Sequence, residues 1–213
     1  YNGIPVSFKF FDSCLERIVS HFSLDNTKKS MAGAKDRKDV LIWADFDNAL
    51  LDKIIRRLDL NDEYSFEEID DPLNILSRDL KEIDTIVLIV TDCTKFSNNN
   101  LAINRINQTL VNYVRYGGRL VCTHDVIYRR TRNELLQEMY GCKINYFREA
   151  NDVTYIKTED CKQSEVFTSL PDSFILHDAE LCWGDLAYDV EVHFENSDGI
   201  PLVFSREYGN GVC

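Results

Sequence analysis

The segment "DTIVLIVTD", residues 84–92, is the clearest strand signal in the chain and decides how the rest is interpreted. Its apolar run is short and unbroken, which is typical of a strand buried on both faces in a parallel sheet. Two other runs share this character, "VLIWA" at 40–44 and "RLVCTH" at 119–124. A further strand is predicted at 64–70, where "YSFEEID" is rich in β-forming residues.

A helical pattern follows each of these strands. Apolar residues recur at helical spacing over 45–58 and again from about 98 to 116, and proline in the sequence Asp71-Pro72 suits a first helical turn. The strand at 119–124 is followed by a predicted helix through about Tyr140, which Gly141 ends. Four strand–helix alternations predict an α/β domain, with a mostly parallel sheet and helices on both faces.

The two ends of the chain differ from this central pattern. Beyond Gly141 the segments are short and rich in β-forming residues, so extended strands and loops are predicted there. Before the first strand, apolar residues at spacings of 3, 4, 3 and 4 over 8–22 predict an amphipathic helix, and the polar stretch 25–39 predicts a linker. We therefore expect a helical extension and linker at 1–37 and the main domain at 38–213.

Composition narrows the classes of partner. The 213 residues are 44% hydrophobic, which is enough for a core, and carry a net charge of −12. Because this charge repels phosphate backbones and anionic lipid surfaces, neither nucleic acid nor a membrane is predicted as a partner. The seven cysteines form no CxxC or CxxH pair, so no metal site is predicted, and several lie in apolar runs. Buried reduced thiols of this kind favour a cytoplasmic protein.

The candidate binding residues are the polar side chains that follow the strands. In an open parallel sheet, ligands bind beyond the carboxyl ends of the strands. Some of these side chains also have a purely structural explanation: Asp45 and Asp92 could be helix N-caps, and His124 could hydrogen-bond a neighbouring loop. The candidates are Asp45, Asp47, Thr91, Asp92, Thr94, His124 and Asp125.

Two kinds of chemistry are disfavoured at this stage. Cys122 still lies inside an apolar run and has no flanking glycine, so a nucleophile elbow is not predicted and the thiol should be buried. The sequence "HFE" at 193–195 could supply a base and an acid, but its alternating setting favours an exposed histidine on an edge strand. Magnesium-dependent phosphotransfer through Asp45 and Asp47 would need a balancing lysine, and none stands in a clear position.

Three ordered blocks of the chain resemble the ThuA-like (trehalose utilisation) family of the class I glutamine-amidotransferase-like superfamily. They are "VRYGGRLVCTHDV" at 114–126, "SEVFTSLPDSFILHDAELCW" at 164–183 and "PLVFSREYGNGVC" at 201–213. The resemblance covers roughly residues 38–213 and implies a flavodoxin-like fold. It also implies that the cysteine–histidine–glutamate triad of the amidotransferases is absent.

The resemblance carries over to particular residues. His124 matches the family histidine, Glu180 matches the acid of its "DE.Y" segment, and Tyr208 matches the tyrosine of its "YG" pair. The chain departs from the family at Ser164, where histidine is usual, and at Cys182, which with the following tryptophan replaces the aromatic end of "DE.Y". The ligand-binding residues expected from both lines of argument are Asp45, Asp92, His124, Asp125, Glu180 and Tyr208.

Three functions are consistent with the sequence. The first is a non-catalytic or divergent domain of a larger cytosolic protein, which binds a small molecule such as a sugar or a nucleotide-like compound. The second is a sugar-processing hydrolase that uses His124 as acid/base with Glu180 or Asp92. The third is an oligomerisation module, in which a second copy is contacted through the helix at 8–22 or through the C-terminal end of the chain. The sequence does not indicate any cofactor.

Overall fold

The computed structural model describes most of the predicted main domain. The described residues are 38–44, 64–89, 99–163, 167 and 170–213. The helices predicted at 8–22 and 45–58 lie outside these residues, so the helical extension, the boundary near residue 38 and the placement of helices on both faces stay predictions. The linker predicted at 25–39 also lies outside them, except for Lys38 and Asp39, which belong to strand β1 (Lys38–Ala44) and not to a linker.

A six-stranded sheet forms the first layer of the fold, and its strands are mostly parallel. Strands β1 to β4 pair in parallel, and β10 pairs in parallel with β4, whereas β9 pairs antiparallel with β10. The order across the sheet is β2-β1-β3-β4-β10-β9, which confirms the predicted α/β class. The strands are β1 (Lys38–Ala44), β2 (Tyr64–Ile69), β3 (Thr85–Ile89), β4 (Arg119–Cys122), β9 (Glu207–Tyr208) and β10 (Gly211–Val212).

The unbroken apolar runs in this sheet have a simple cause, which is that β1 and β3 lie inside it. Leu41 and Trp43 of β1 and Ile86 and Leu88 of β3 are all 0% exposed and belong to one hydrophobic core. Val87, which alternates with the two β3 residues, is also buried, so both faces of this strand are covered. Alternating polar residues would therefore be unfavourable here.

Helix α1 (Asn100–Arg115) begins and ends as its sequence predicts. The side chain of Asn99 accepts a hydrogen bond from the Leu101 backbone N–H at 3.0 Å and so caps the first turn. Apolar residues at helical spacing face the core, and the chain leaves the helix through Gly117, whose φ of 112° favours glycine. The buried apolar residues of α1 include Ile103, Ile106, Leu110 and Val114.

The segment after β4 corrects one prediction. The sequence predicted a continuous helix through about Tyr140, but the structure has a 3₁₀ turn, His124–Ile127, then a loop, and then the short helix α2 (Glu134–Tyr140). Thr131 of the loop and Gln137 of α2 donate side-chain hydrogen bonds to the Val126 and Tyr128 carbonyl groups, which a continuous helix would have used for its own backbone bonds. Gly141 ends α2 with a φ of 63°, as predicted. Pro72 also begins a helix as predicted, and this helix is of the 3₁₀ type.

A second, antiparallel sheet follows Gly141. Its order is β6-β5-β7-β8, and the extended segments predicted for this half are confirmed. In contrast to the prediction, they are not all short, because β5 is a single strand of 16 residues that pairs along its length with β6. The elements are β5 (Cys142–Lys157), α3 (Glu159–Gln163), β6 (Ser173–Leu186), β7 (Glu191–Glu195) and β8 (Pro201–Ser205).

The position of His193 differs from the prediction. Strand β7 lies between β5 and β8 and is not an edge strand, and His193 is only 8% exposed. Its Nε2 atom lies 2.8 Å from the Ser205 hydroxyl oxygen, and its ring packs on Phe167 at 5.2 Å between centroids. The imidazole thus packs against a second hydrophobic cluster, which consists of Cys161, Phe167, Leu170 and Phe194, and its Nε2 atom bonds across the sheet.

Candidate functional site

The turn after β4 presents His124 at the carboxyl edge of the parallel sheet. The Thr123 backbone N–H donates to the Leu88 carbonyl at 3.1 Å and ties the start of the turn to the end of β3. Within the turn, Val126 and Ile127 are buried in the core, whereas His124 and Asp125 remain partly exposed. The turn therefore anchors one half of its residues and displays the other half to solvent.

A buried polar network supports this turn from behind. Asn133, which is 0% exposed, donates through Nδ2 to the Val126 carbonyl at 2.9 Å, and its Oδ1 accepts from Asn107 Nδ2 at 3.3 Å. Thr131 donates through Oγ1 to the Tyr128 carbonyl at 2.8 Å. Because unpaired polar groups are costly in a core, these bonds hold the loop and the turn in one arrangement.

Strand β6 brings an acid to the imidazole. A carboxylate oxygen of Glu180 lies 3.2 Å from the Nε2 atom of His124, and the two side chains are 46% and 36% exposed. The Asp125 carboxylate lies 3.5 Å from the same nitrogen. Residues from two distant segments of the chain thus meet at one point on the surface, between the carboxyl end of β4 and the edge strand of the second sheet.

Cys182 completes what we call the His124 cluster, which consists of His124, Asp125, Glu180 and Cys182. One donor atom each from His124, Glu180 and Cys182 lies within 4.8 Å of the other two. Burial, with smaller contributions from the negative charges of Glu180 and Asp125, raises the pKa of the Cys182 thiol to about 12. The thiol is therefore protonated at neutral pH when no cation is nearby.

Aromatic side chains lie beside the His124 cluster. Phe147 of β5 is the cross-strand partner of Cys182, and Glu149 is the partner of Glu180. Directly paired residues project from the same face of an antiparallel sheet, so these side chains flank the cluster. The Phe147 ring is 53% exposed and contacts the edge of the Tyr128 ring at 5.7 Å between centroids.

The environment of Cys122 agrees with the prediction that its thiol is a poor nucleophile. Burial raises the pKa of Cys122 to about 12, with a smaller opposing effect from the Tyr140 hydroxyl. A thiol with this pKa holds almost no thiolate at neutral pH. Cysteine-based acyl transfer at this position, already disfavoured by the sequence, is disfavoured by the structure as well.

The structure does not bring Tyr208 to the His124 cluster. Tyr208 accepts a hydrogen bond from Arg115 at 3.0 Å, and its neighbour in the sheet, β10, pairs with Arg119 at the start of β4. His124 follows the other end of that strand. The guanidinium of Arg115 also lies over the Tyr208 ring, at 5.5 Å from its centroid, so both of these contacts are with a residue at the amino edge of the sheet.

The remaining predicted residues lie outside the part of the chain that the structure describes. Asp45 and Asp47 follow β1 in sequence, and Thr91, Asp92 and Thr94 follow β3, but all five lie outside the described residues. Their role in ligand binding stays a prediction from their positions after the strands.

Cys182 was not predicted as a member of the site. From the sequence, this residue is only a departure from the family pattern. The available signal was its spacing of two from Glu180, because residues i and i+2 of a strand lie on the same face. A shallow cavity of about 210 Å³ lies elsewhere on the surface. It is lined by Asn100, Asn104, Arg132 and Glu134 and does not include the His124 cluster.

These observations define the class of fold, an α/β domain whose parallel strands run in the order β2-β1-β3-β4, as in flavodoxin-like proteins. Within the described residues, no helix has both the length and the apolar character that crossing a membrane requires. Searches with family models and among curated proteins give no match to the chain.

The solved structures that are similar to the chain include a ThuA-like protein and a glutamine amidotransferase. A ThuA-like protein from Bacteroides uniformis has a TM-score of 0.63 at 16% identity, over 85% of this chain and 82% of that one. A glutamine amidotransferase from Thermotoga maritima has a TM-score of 0.52 at 16% identity, over 84% of this chain and 74% of that one. At this identity the likeness establishes the shared fold and carries no activity with it.

Proposed function

We propose that the chain is a small-molecule-binding domain whose site is the His124 cluster. The observation that carries the proposal is the 3.2 Å contact between His124 Nε2 and the Glu180 carboxylate. This contact lies at the carboxyl edge of the parallel sheet, where open α/β sheets bind their ligands. Both side chains are partly exposed, so a ligand can reach them.

The ligand class that fits best is a polyhydroxylated compound such as a sugar or a nucleoside. The carboxylates of Glu180 and Asp125 are hydrogen-bond acceptors for hydroxyl groups, and the imidazole of His124 is able to donate or accept. The exposed ring of Phe147 offers an apolar face next to these polar groups. A few polar groups beside an aromatic surface are the usual composition of small-molecule sites.

Thiol-dependent hydrolysis is not part of this proposal. The pKa of the thiol is raised to about 12 at both Cys122 and Cys182, which leaves neither as a ready nucleophile. The chain is therefore similar to the glutamine amidotransferase in its fold, but neither of these two thiols is a ready nucleophile.

A second candidate function is acid/base catalysis on the same class of ligand. The 3.2 Å distance between His124 and Glu180 is close to that of a hydrogen bond between a general base and the carboxylate that orients it. In an enzyme of this kind, replacing His124 lowers the rate more than the affinity. In a binding domain the same replacement lowers the affinity, and neither the wild type nor the variant turns over the ligand.

A thermal-shift screen tests the proposal. A panel of sugars, sugar phosphates and nucleosides is added to the full chain, and a compound that binds the folded state raises the melting midpoint. We expect at least one such compound, and we expect its effect to be lost in His124→Ala and Glu180→Gln. His177→Ala is the matched control, because His177 also pairs with an acid, Asp152, at an exposed site of the β5–β6 pair. A compound that raises the melting midpoint equally in the wild type and in all three variants would refute the site. A panel in which no compound raises the melting midpoint would refute the function.

A further inference from the structure

We infer that the His124 cluster binds a divalent transition-metal ion of the Zn²⁺ type through His124, Glu180 and Cys182. The three donor atoms lie within 4.8 Å of one another. The inference deepens the proposed function, because the metal ion would occupy the same site. It rests on the proposed function only for the small molecule that would take the remaining coordination position of the metal.

The backbone explains why the three donors converge. Glu180 and Cys182 are two residues apart in β6, and their regular pairing with Glu149 and Phe147 shows no bulge between them. Both side chains therefore project from the same face of the edge strand. His124 reaches this face from the turn after β4. The hydrogen bond from the Thr123 backbone N–H to the Leu88 carbonyl holds this turn in position.

The donor types indicate which metals fit. Imidazole nitrogen, carboxylate oxygen and thiolate sulfur are all ligands of Zn²⁺, whereas Mg²⁺ and Ca²⁺ bind oxygen almost exclusively. Two ligands about 2.0–2.1 Å from a tetrahedral zinc ion are roughly 3.3 Å apart. The distance of 3.2 Å between His124 Nε2 and the Glu180 oxygen is close to this value.

The charge of the cluster favours a cation. Glu180 and Asp125 carry two negative charges within 3.5 Å of the imidazole. Among the described residues, no lysine or arginine forms an ion pair with either carboxylate. A bound metal ion would neutralise these charges and would bind Cys182 as the thiolate.

Three protein ligands leave one coordination position of a tetrahedral ion open. Sites of this kind keep water or a small ligand in that position, in contrast to structural sites that have four protein ligands. Because His124 and Glu180 are partly exposed, the open position would be accessible to a hydroxyl or carbonyl oxygen of the ligand. The sequence predicted no metal site, because His124 lies far from Glu180 and Cys182 along the chain and the three residues form no CxxC or CxxH motif.

The test is metal binding by the full chain after removal of metal with a chelator. Zn²⁺ affinity is measured by competition with a chromophoric chelator, and Co²⁺ is used to detect a thiolate-to-metal charge-transfer band. We expect a Zn²⁺ site whose affinity falls at least about 100-fold in Cys182→Ser and His124→Ala, and about 10-fold or more in Glu180→Gln. The cobalt band should be absent in Cys182→Ser, because oxygen replaces sulfur while the side chain keeps its size.

Two controls separate this site from unspecific binding. His177→Ala removes an exposed histidine with an acidic neighbour, and Cys161→Ala removes a thiol of the second hydrophobic cluster, so both should keep the affinity. Far-ultraviolet circular dichroism checks that each variant is folded. Affinity that is unchanged in folded Cys182→Ser and His124→Ala, or a cobalt band that persists in Cys182→Ser, would overturn the inference.

The outcome is distinguishable from that of the proposed function. If no Zn²⁺ binds but a compound still shifts the melting midpoint in a His124-dependent way, only the metal site is wrong. If Zn²⁺ binds through the three residues and the metal-loaded chain binds no compound of the panel, the metal site is correct and the small-molecule function is wrong.

Discussion

At the scale of single residues, burial decides which side chains are chemically available. Cys122 and His124 are only two positions apart, but the thiol lies at the end of a core strand and the imidazole lies in a turn open to solvent. The pKa of the thiol is raised to about 12 because the thiolate would be poorly solvated. Val126 and Ile127 of the same turn are buried, whereas the imidazole of His124 is partly exposed and lies beside the carboxylates of Asp125 and Glu180.

The first prediction concerns the reactivity of Cys122. With a pKa of about 12 instead of its ordinary 9, its thiolate fraction at pH 8 is lowered roughly a thousandfold. We expect iodoacetamide to label Cys122 far more slowly in the native chain than in urea, as followed by peptide mass spectrometry. Equal labelling rates in the native and unfolded chains would show that the thiol is not protected.

At the scale of elements, the buried polar network and the β5–β6 pairing position the site. The network holds the turn that carries His124, and the pairing sets the face from which Glu180 and Cys182 project. Neither determinant is visible as a hydrophobic pattern. This is why the sequence predicts the strands well, yet predicts a helix where the turn and loop are found.

The second prediction concerns Asn133 in this network. Asn133→Ala removes the donor to the Val126 carbonyl and leaves the buried amide of Asn107 with one partner fewer. We expect a loss of about 2 kcal/mol in the free energy of unfolding, measured in urea. The control is Gln108→Ala, which removes an exposed hydrogen bond on α1 and should change stability by less than about 0.5 kcal/mol. Equal effects of the two changes would contradict the role of the network.

The third prediction concerns Gly184, two residues beyond Cys182. A Cβ atom at Gly184 would lie 1.9 Å from the backbone carbonyl oxygen of Lys143, so the paired strands would have to separate. We expect Gly184→Ala to cost about 3 kcal/mol in urea unfolding. In Gly199→Ala the new methyl group meets no atom within 4 Å, and only the positive φ of 75° opposes it, at about 1 kcal/mol. A milder effect at Gly184 than at Gly199 would mean that the strands are not paired as described.

Comparison of sequence and structure at this scale shows what pattern can and cannot predict. The apolar runs of β1 and β3 predict a parallel sheet because burial on both faces excludes polar residues. The convergence of His124 with Glu180 was expected from the strand ends and from the family resemblance together. Tyr208 lies elsewhere because β9 and β10 add to the sheet beside the start of β4, a pairing that no local pattern encodes.

At the scale of the whole molecule, the two sheets meet where the site is. The turn after β4 belongs to the parallel sheet, and Glu180 belongs to the edge strand of the antiparallel sheet. The site therefore depends on how the two halves of the domain pack, and any change that separates them should remove it. The net charge of −12 makes a cation or an uncharged compound a better partner than an anionic polymer.

The fourth prediction concerns the stability of the molecule at alkaline pH. Burial raises the pKa of Cys122, Cys142 and Cys213 from an ordinary 9 to about 12. Below pH 9 these thiols are protonated in both states, so their contribution to stability is fully present. Between pH 9 and 12 the unfolded chain loses protons that the folded chain retains, and stability must fall. We expect the urea midpoint to decrease over this range, with at least about one proton released on unfolding. A midpoint that stays constant or rises would contradict this.

The most direct test of the account is a double-mutant cycle on the affinity for the compound that gives the largest thermal shift. Affinity is measured by calorimetry for the wild type, His124→Ala, Glu180→Gln and the double variant. If the two side chains form one site, the effects of the two substitutions on the binding free energy are coupled by about 1 kcal/mol or more. The affinity of the double variant is then only slightly lower than that of the single variant with the lower affinity. Effects that add within about 0.5 kcal/mol would show that His124 and Glu180 act independently and do not form one binding site.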